Sequence, residues 1–253
     1  MKQNWPARLW VVRHGESAGN VARDQADAAG LPQIDIAHRD VDVPLSRRGE
    51  EQSSALGRWF AAMDPSERPE IVLSSPYVRA RQTAELIKTA GGLVEDPELL
   101  VDERLREKEF GILDRLTRVG IEQRHPEQAE FRKLLGKFYH RPPAGESWCD
   151  VILRLRSAID TISLHHSGRR VLISGHQVVV LCMRYLLENL DEAQILAIDA
   201  EGDVANCGVT EYAFAGDAGK DGGLVLQRYN FVAPLERAGA PITSEPDANV
   251  AAR

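Results

Sequence analysis

The chain alternates short apolar runs with longer stretches in which apolar residues recur at helical spacing. Leu9-Trp10-Val11-Val12 is a continuous apolar run that ends at Arg13-His14-Gly15, the pattern of a buried strand delivering polar residues at its C-terminal end. Ser46 precedes a helical stripe of Leu56, Trp59, Phe60 and Met63 and is placed to cap it. Ile71-Val72-Leu73 predicts a second strand, followed by Ser74-Ser75-Pro76, where Ser75 as N-cap and Pro76 as first helical residue would start another helix. Leu99-Leu100-Val101 predicts a third strand. From Ser147 onwards, Trp148, Val151, Ile152, Leu155, Ile159 and Ile162 keep one stripe through four turns, a helix by period. Arg170 to Ser174 repeats the first strand's pattern and delivers Gly175-His176, with an apolar helix following to about Leu187. Val209 to Phe214 and Leu224 to Phe231, joined by a Gly-rich loop, predict a closing hairpin.

Strands alternating with helices specify an α/β fold, a single three-layer α/β/α domain with a mostly parallel sheet. We assign residues 1–233 to that domain. Between about 104 and 145 a charged segment with only short apolar groupings (Ile112, Leu113, Leu116; Phe131, Leu134, Leu135) is expected to form a small helical insertion over the C-terminal rim of the sheet. Residues 234–253, rich in Pro and Ala and without periodicity, are expected to be a flexible tail.

Composition narrows the class. The 253 residues carry a net charge of −7, so a general attraction to nucleic acid or an anionic membrane surface is not expected, and any anionic ligand must be met by a local patch. Cys149, Cys182 and Cys207 have neither disulfide-framework nor zinc-site spacing, which fits a reducing cytoplasm. No apolar stretch approaches the length of a membrane span, and the residues before Leu9 lack a signal-peptide apolar region.

Five groups fall at or just after the predicted strand ends: Arg13-His14-Gly15-Glu16-Ser17 with Asn20; Ser74 to Ala80 with Arg79; Leu105 to Gly111 with Glu107; Gly175-His176; and Asn206-Cys207. A parallel sheet gathers strand ends at one rim, where ligands bind in such folds. The rim would then hold two arginines, two histidines and a carboxylate. That set matches what phosphoryl transfer needs: fixed positive forks for the equatorial oxygens, a nitrogen nucleophile, and a carboxyl group to protonate the leaving oxygen. No metal and no cofactor is called for. Asn206 is better explained by a turn before the hairpin, and His38, His125, His140, His165 and His166 by surface or loop positions.

These motifs, with Ser-Ser-Pro-Tyr-Val-Arg-Ala-Arg-Gln-Thr-Ala around Arg79 and the late His176, resemble the histidine phosphatase superfamily, also called phosphoglycerate-mutase-like, over about residues 8–231. The resemblance implies that His14 is the phosphorylated nucleophile, that Arg13 and Arg79 bind phosphate together with His176, and that Asn20 contacts it. Glu107 matches the acid of the mutase branch. The implied function is a metal-independent phosphomonoester hydrolase; the alternatives are a cofactor-dependent phosphoglycerate-mutase-type phosphotransferase and a non-catalytic phosphate-binding module. Hydrolysis is favoured because Glu107-Lys108-Glu109-Phe110-Gly111 and the Ile-Leu-Asp-Arg-Leu-Thr after it depart from the mutase pattern of Glu-Arg-His-Tyr-Gly followed by Gly-Leu-Asn-Lys, and because His176-Gln177 is more like the bisphosphatase branch than the common His-Gly. A serine hydrolase is set aside because no serine lies in a Gly-x-Ser-x-Gly elbow. The insertion carries ten Lys/Arg against six Asp/Glu between Arg104 and Arg141, so Arg115 or Arg118 is expected to hold a second anionic group of a small phosphorylated substrate. Nothing in the residues decides between a monomer and a homodimer.

Overall fold

A computed structural model describes residues 5–93, 99–218 and 222–244. Six strands form one sheet: β1 (Arg8–Arg13), β2 (Ile71–Ser74), β3 (Leu99–Val101), β4 (Arg170–Gly175), β5 (Val209–Ala215) and β6 (Gly223–Phe231), in the order β3-β2-β4-β1-β5-β6. The first four are mutually parallel, while β5 runs antiparallel to β1 and β6 antiparallel to β5. Period-2 alternation divides the apolar side chains between two faces. On one, Leu9, Val11, Val171 and Ile173 pack with α6 (Trp148–His165) and α7 (Gln177–Leu187). On the other, Trp10, Val12, Val72 and Leu172 pack with α2 (Arg47–Ala61) and α3 (Val78–Gly91). The strands are apolar throughout because both faces are covered.

Capping follows the sequence at two helices and departs from it at a third. Ser46 caps α2 through the Gly49 amide, and Ser147 starts α6 with a reciprocal capping box to Asp150. Ser75 and Pro76, expected to start a helix, lie just before it: α3 begins at Val78 with Tyr77 as N-cap, and the Ser75 hydroxyl accepts from the Tyr77 amide at 3.3 Å.

Between β3 and α6 lie a 3₁₀ turn at Gly111–Leu113 and the helices α4 (Arg118–Arg124) and α5 (Pro126–Tyr139), the latter broken at Gly136 with φ 78°. The Phe131, Leu134 and Leu135 grouping does not supply a core; Leu134 is 78% exposed. His140, expected at a surface or loop position, is a loop residue buried at 3% exposure beside Gln128, and desolvation pushes its pKa down to about 4. Helices α1 (Ala18–Ala28) and α8 (Glu192–Glu201) were not foreseen.

Part of the segment expected to be a tail, residues 234–244, is described. Residues Ala233–Ala238 form α9, which buries Leu235 completely in the α2 face, and Thr243 hydrogen-bonds to Gln52 and Asn206. Residues 245–253 of that expectation lie outside the described ones. No helix among the described residues is long and apolar enough to cross a membrane.

Candidate active site

Strand register builds the site. Arg13 pairs with Gly175 across β1 and β4, and Ser74 with Ser174 across β2 and β4, so the residues that follow, His14, Ser75 and His176, emerge side by side at one rim. The loop after β1 is held through its backbone: the Gly15 amide donates to Thr83 Oγ1 at 3.0 Å, the Glu16 amide to Gln52 Oε1 at 2.9 Å, and Asn206 Nδ2 to the His14 carbonyl at 3.0 Å. Two glycines allow α2 to close on this loop. A Cβ at Gly49 would stand 2.0 Å from the Glu16 carbonyl oxygen, and one at Gly15 would stand 2.5 Å from the Gly49 carbonyl oxygen.

His14 is 3% exposed and its tautomer is set by its neighbours. Nδ1 lies 2.7 Å from the Gly15 carbonyl, which can only accept, so Nδ1 carries the proton. Nε2 is left with its lone pair and accepts from Arg79 Nε at 3.1 Å. Desolvation, followed by the charges of Arg79 and Arg13, holds the imidazole pKa well below 6.5. The ring is therefore neutral at neutral pH, with Nε2 as its available nucleophile.

Arg79 is buried and already committed. Its Nη1 donates to the Asp40 carbonyl at 2.6 Å and to Asp40 Oδ1 at 2.9 Å, Nη2 donates to Asp40 Oδ2 at 3.3 Å, and the guanidinium lies 4.7 Å from the Tyr77 ring centroid. Arg13 donates to the Val204 carbonyl.

His176 is fully buried, its ring centroid 5.2 Å from that of His14. Its Nε2 is 2.8 Å from Ser75 Oγ, and its Nδ1 is 3.7 Å from Glu107 Oε2, too long for a hydrogen bond. The Ser75 hydroxyl is placed to donate to Nε2, which leaves the ring proton on Nδ1. Burial, then the charges of Arg79 and the other nearby cations, depresses this pKa well below 6.5 also. Glu107 is 7% exposed, and its Oε1 accepts from the Lys108 amide at 2.8 Å. The rim thus brings together Arg13, His14, Arg79, Glu107 and His176, all five read from the sequence.

An open pocket leads to Arg13, His14, Arg79 and Glu107. Asn20 lines it, but its Oδ1 is taken by the Ser17 amide and hydroxyl in the N-terminal capping box of α1, so its Nδ2 is the group left for an anion. Arg115 lines it too, in a left-handed conformation with φ 60°, and donates to the carbonyls of Ile36 and His38. Arg118, expected beside it, is outside the lining and ion-paired with Glu122 at 2.9 Å. It sits on the first turn of α4, where the side chain follows the helix surface to its i+4 partner. Sequence reasoning missed Asp40, Arg23 and the positioning role of Asn206. Asp40 and Arg23 lie in a charged stretch that resembles a solvated surface.

The family model for the histidine phosphatase superfamily (branch 1) matches residues 9–221. A protein of Photorhabdus laumondii named probable phosphoglycerate mutase GpmB is 30% identical over 178 residues, which is 70% of this chain and 72% of that protein. A Caenorhabditis elegans 6-phosphofructo-2-kinase/fructose-2,6-bisphosphatase is 32% identical over 181 residues, 70% of this chain and 33% of that protein. Among solved structures, a mycobacterial glucosyl-3-phosphoglycerate phosphatase is 24% identical with a TM-score of 0.65, covering 88% of this chain and 99% of that one, a likeness of fold.

Proposed function

The chain belongs to branch 1 of the histidine phosphatase superfamily, and from that premise we propose that it hydrolyses phosphomonoesters through a covalent phosphohistidine on His14. The observation that carries this reading is the locked imidazole: Nδ1–H on the Gly15 carbonyl leaves Nε2 unprotonated, its lone pair held by Arg79 Nε–H, on a neutral ring among arginines.

In the first step the substrate's phosphoryl group enters between Arg13 and Arg79. Arg79 Nε–H leaves His14 Nε2 for a phosphoryl oxygen, and the freed lone pair attacks phosphorus. The P–N bond forms as the P–O ester bond breaks, and the departing oxygen takes the proton of the Glu107 carboxyl group. In the second step the Glu107 carboxylate removes a proton from water, the resulting hydroxide displaces the histidine, and phosphate and a neutral Nε2 are regenerated with Glu107 protonated again. Arg13, Arg79 and Asn20 Nδ2 meet the charge spread over the equatorial oxygens, already in place before the reaction. His176 carries its neutral ring against the same oxygens.

The second reading, transfer to a bound hydroxyl instead of water, is favoured by the naming of the GpmB relatives. Both readings share the His14 step. Phosphate release from 4-nitrophenyl phosphate, sugar phosphates and 2- and 3-phosphoglycerate in excess EDTA tests them together. Hydrolysis predicts release that survives EDTA and falls at least about a thousandfold in His14→Ala. Interconversion of the phosphoglycerates without net release would move the protein to the mutase reading, and undiminished turnover by His14→Ala would refute both.

A further inference from the structure

The pocket holds more positive charge than one phosphoryl group uses, and its arginines differ in how they are already engaged. Arg13 donates to the Val204 carbonyl, Arg79 is held by Asp40 and His14, and Arg115 spends Nη1 and Nη2 on the Ile36 and His38 carbonyls. Arg23 lines the same pocket, is only partly exposed, and has no hydrogen bond or ion pair among the described residues. It sits on α1 three residues after Asn20, so the two side chains share one face of the helix, with Arg23 about 4.5 Å farther along the axis from the phosphate end. Of the pocket's carboxylates, Asp40 is paired with Arg79 and Asp114 lies 3.8 Å from Arg115 Nε, so Arg23 is attracted to Asp114 and to its neighbour Asp24 only through space, without a hydrogen bond to either. Asp24, the next residue, is exposed.

We propose that Arg23 is a specificity-determining residue that receives a second anionic group, a carboxylate or a further phosphate, of the phosphomonoester substrate. This rests on the phosphatase reading for the position of the first phosphoryl group. An arginine held at a pocket wall without a protein acceptor presents its planar donors to the ligand, and an anionic oxyacid group is the chemistry that matches them. The role expected of Arg115 and Arg118 passes to Arg23 because Arg115 braces the Ile36–His38 segment and Arg118 is outside the pocket. The substrate class is then a small phosphorylated acid or a bisphosphorylated metabolite, with the second group a few bonds from the scissile phosphate.

Competitive inhibition of 4-nitrophenyl phosphate hydrolysis by three length-matched series tests this: alkylphosphonates, ω-phosphonocarboxylates and α,ω-bisphosphonates. At the best length the wild type should bind a doubly anionic inhibitor about tenfold more tightly than the matched alkylphosphonate, and the better of the two series identifies the second group. Arg23→Gln should close that gap, Arg23→Lys should keep part of it, and Arg118→Gln should keep all of it. Equal inhibition by all three series at every length, or a gap that survives Arg23→Gln, would overturn the assignment. If the wild type does not hydrolyse 4-nitrophenyl phosphate, the phosphatase reading is what fails. The same inhibitors titrated by calorimetry then decide the Arg23 comparison.

Discussion

His14 and His176 lie on one rim, both buried, and each is kept neutral by desolvation and neighbouring guanidinium groups. Depressed histidine pKa values mean that the unfolded chain binds protons near pH 6.5 that the folded chain refuses. Stability therefore rises with pH up to about 6.5 and is lost as pH falls below it toward the folded pKa values. His140, pushed down to about 4, adds to the same slope. Urea unfolding between about pH 8 and pH 5 should show this loss, and His176→Asn should flatten it; an equal slope in the variant would mean that the ring is not held neutral. The residues proposed for the chemistry were legible in the sequence because their types are tied to phosphoryl transfer and each follows an apolar strand. Asp40 and Arg23 were not, because a charged residue on a polar stretch reads the same whether it faces solvent or a pocket. Arg115 and Arg118 were singled out by local charge density, which cannot report that one donates to backbone carbonyls and the other to Glu122.

At the level of elements, the loop carrying His14 is gripped by α2. Gly49 brings that helix against the Glu16 carbonyl, and Glu16 in turn accepts from Ser46 Oγ at 2.5 Å and pairs with Arg48 at 3.0 Å. Gly49→Ala places a methyl group 2.0 Å from backbone that cannot turn away, so α2 or the loop must move. We expect a loss of about 1–3 kcal/mol in urea unfolding together with a fall in kcat larger than any change in KM. Unchanged kcat would show that the loop tolerates the shift. The long helices were predictable from their stripes, whereas α8 buries only Ile195 and α9 is six residues long, too little pattern to register. Ser75 was read as a cap because Ser-Pro is a helix-start signal; its hydroxyl is instead turned to His176.

Across the whole molecule residues 233–244 and the loop carrying His14 form one structure. Gln52 accepts from the Glu16 amide and donates to Thr243 and to the Pro241 carbonyl, while Thr243 donates to Asn206, which holds the His14 carbonyl. Leu235 anchors the segment in the core. Leu235→Ala should lower stability by about 2–5 kcal/mol. Thr243→Ala should reduce kcat while leaving the fold intact by circular dichroism; full kcat would mean that the segment is only a cover. Sheet membership of β1, β2 and β4 was legible from their runs, but the order β3-β2-β4-β1-β5-β6 and the return of Pro241 and Thr243 to the site are long-range pairings that no local pattern encodes.

The central claim, that His14 carries the phosphoryl group between two half-reactions, is tested most directly by rapid acid-free quenching during turnover followed by mass spectrometry. A phosphoryl group is expected on His14 that appears before steady state, is labile to acid and is absent from His14→Ala. Turnover with His14 unmodified at every time point, or with the label on another side chain, would contradict it.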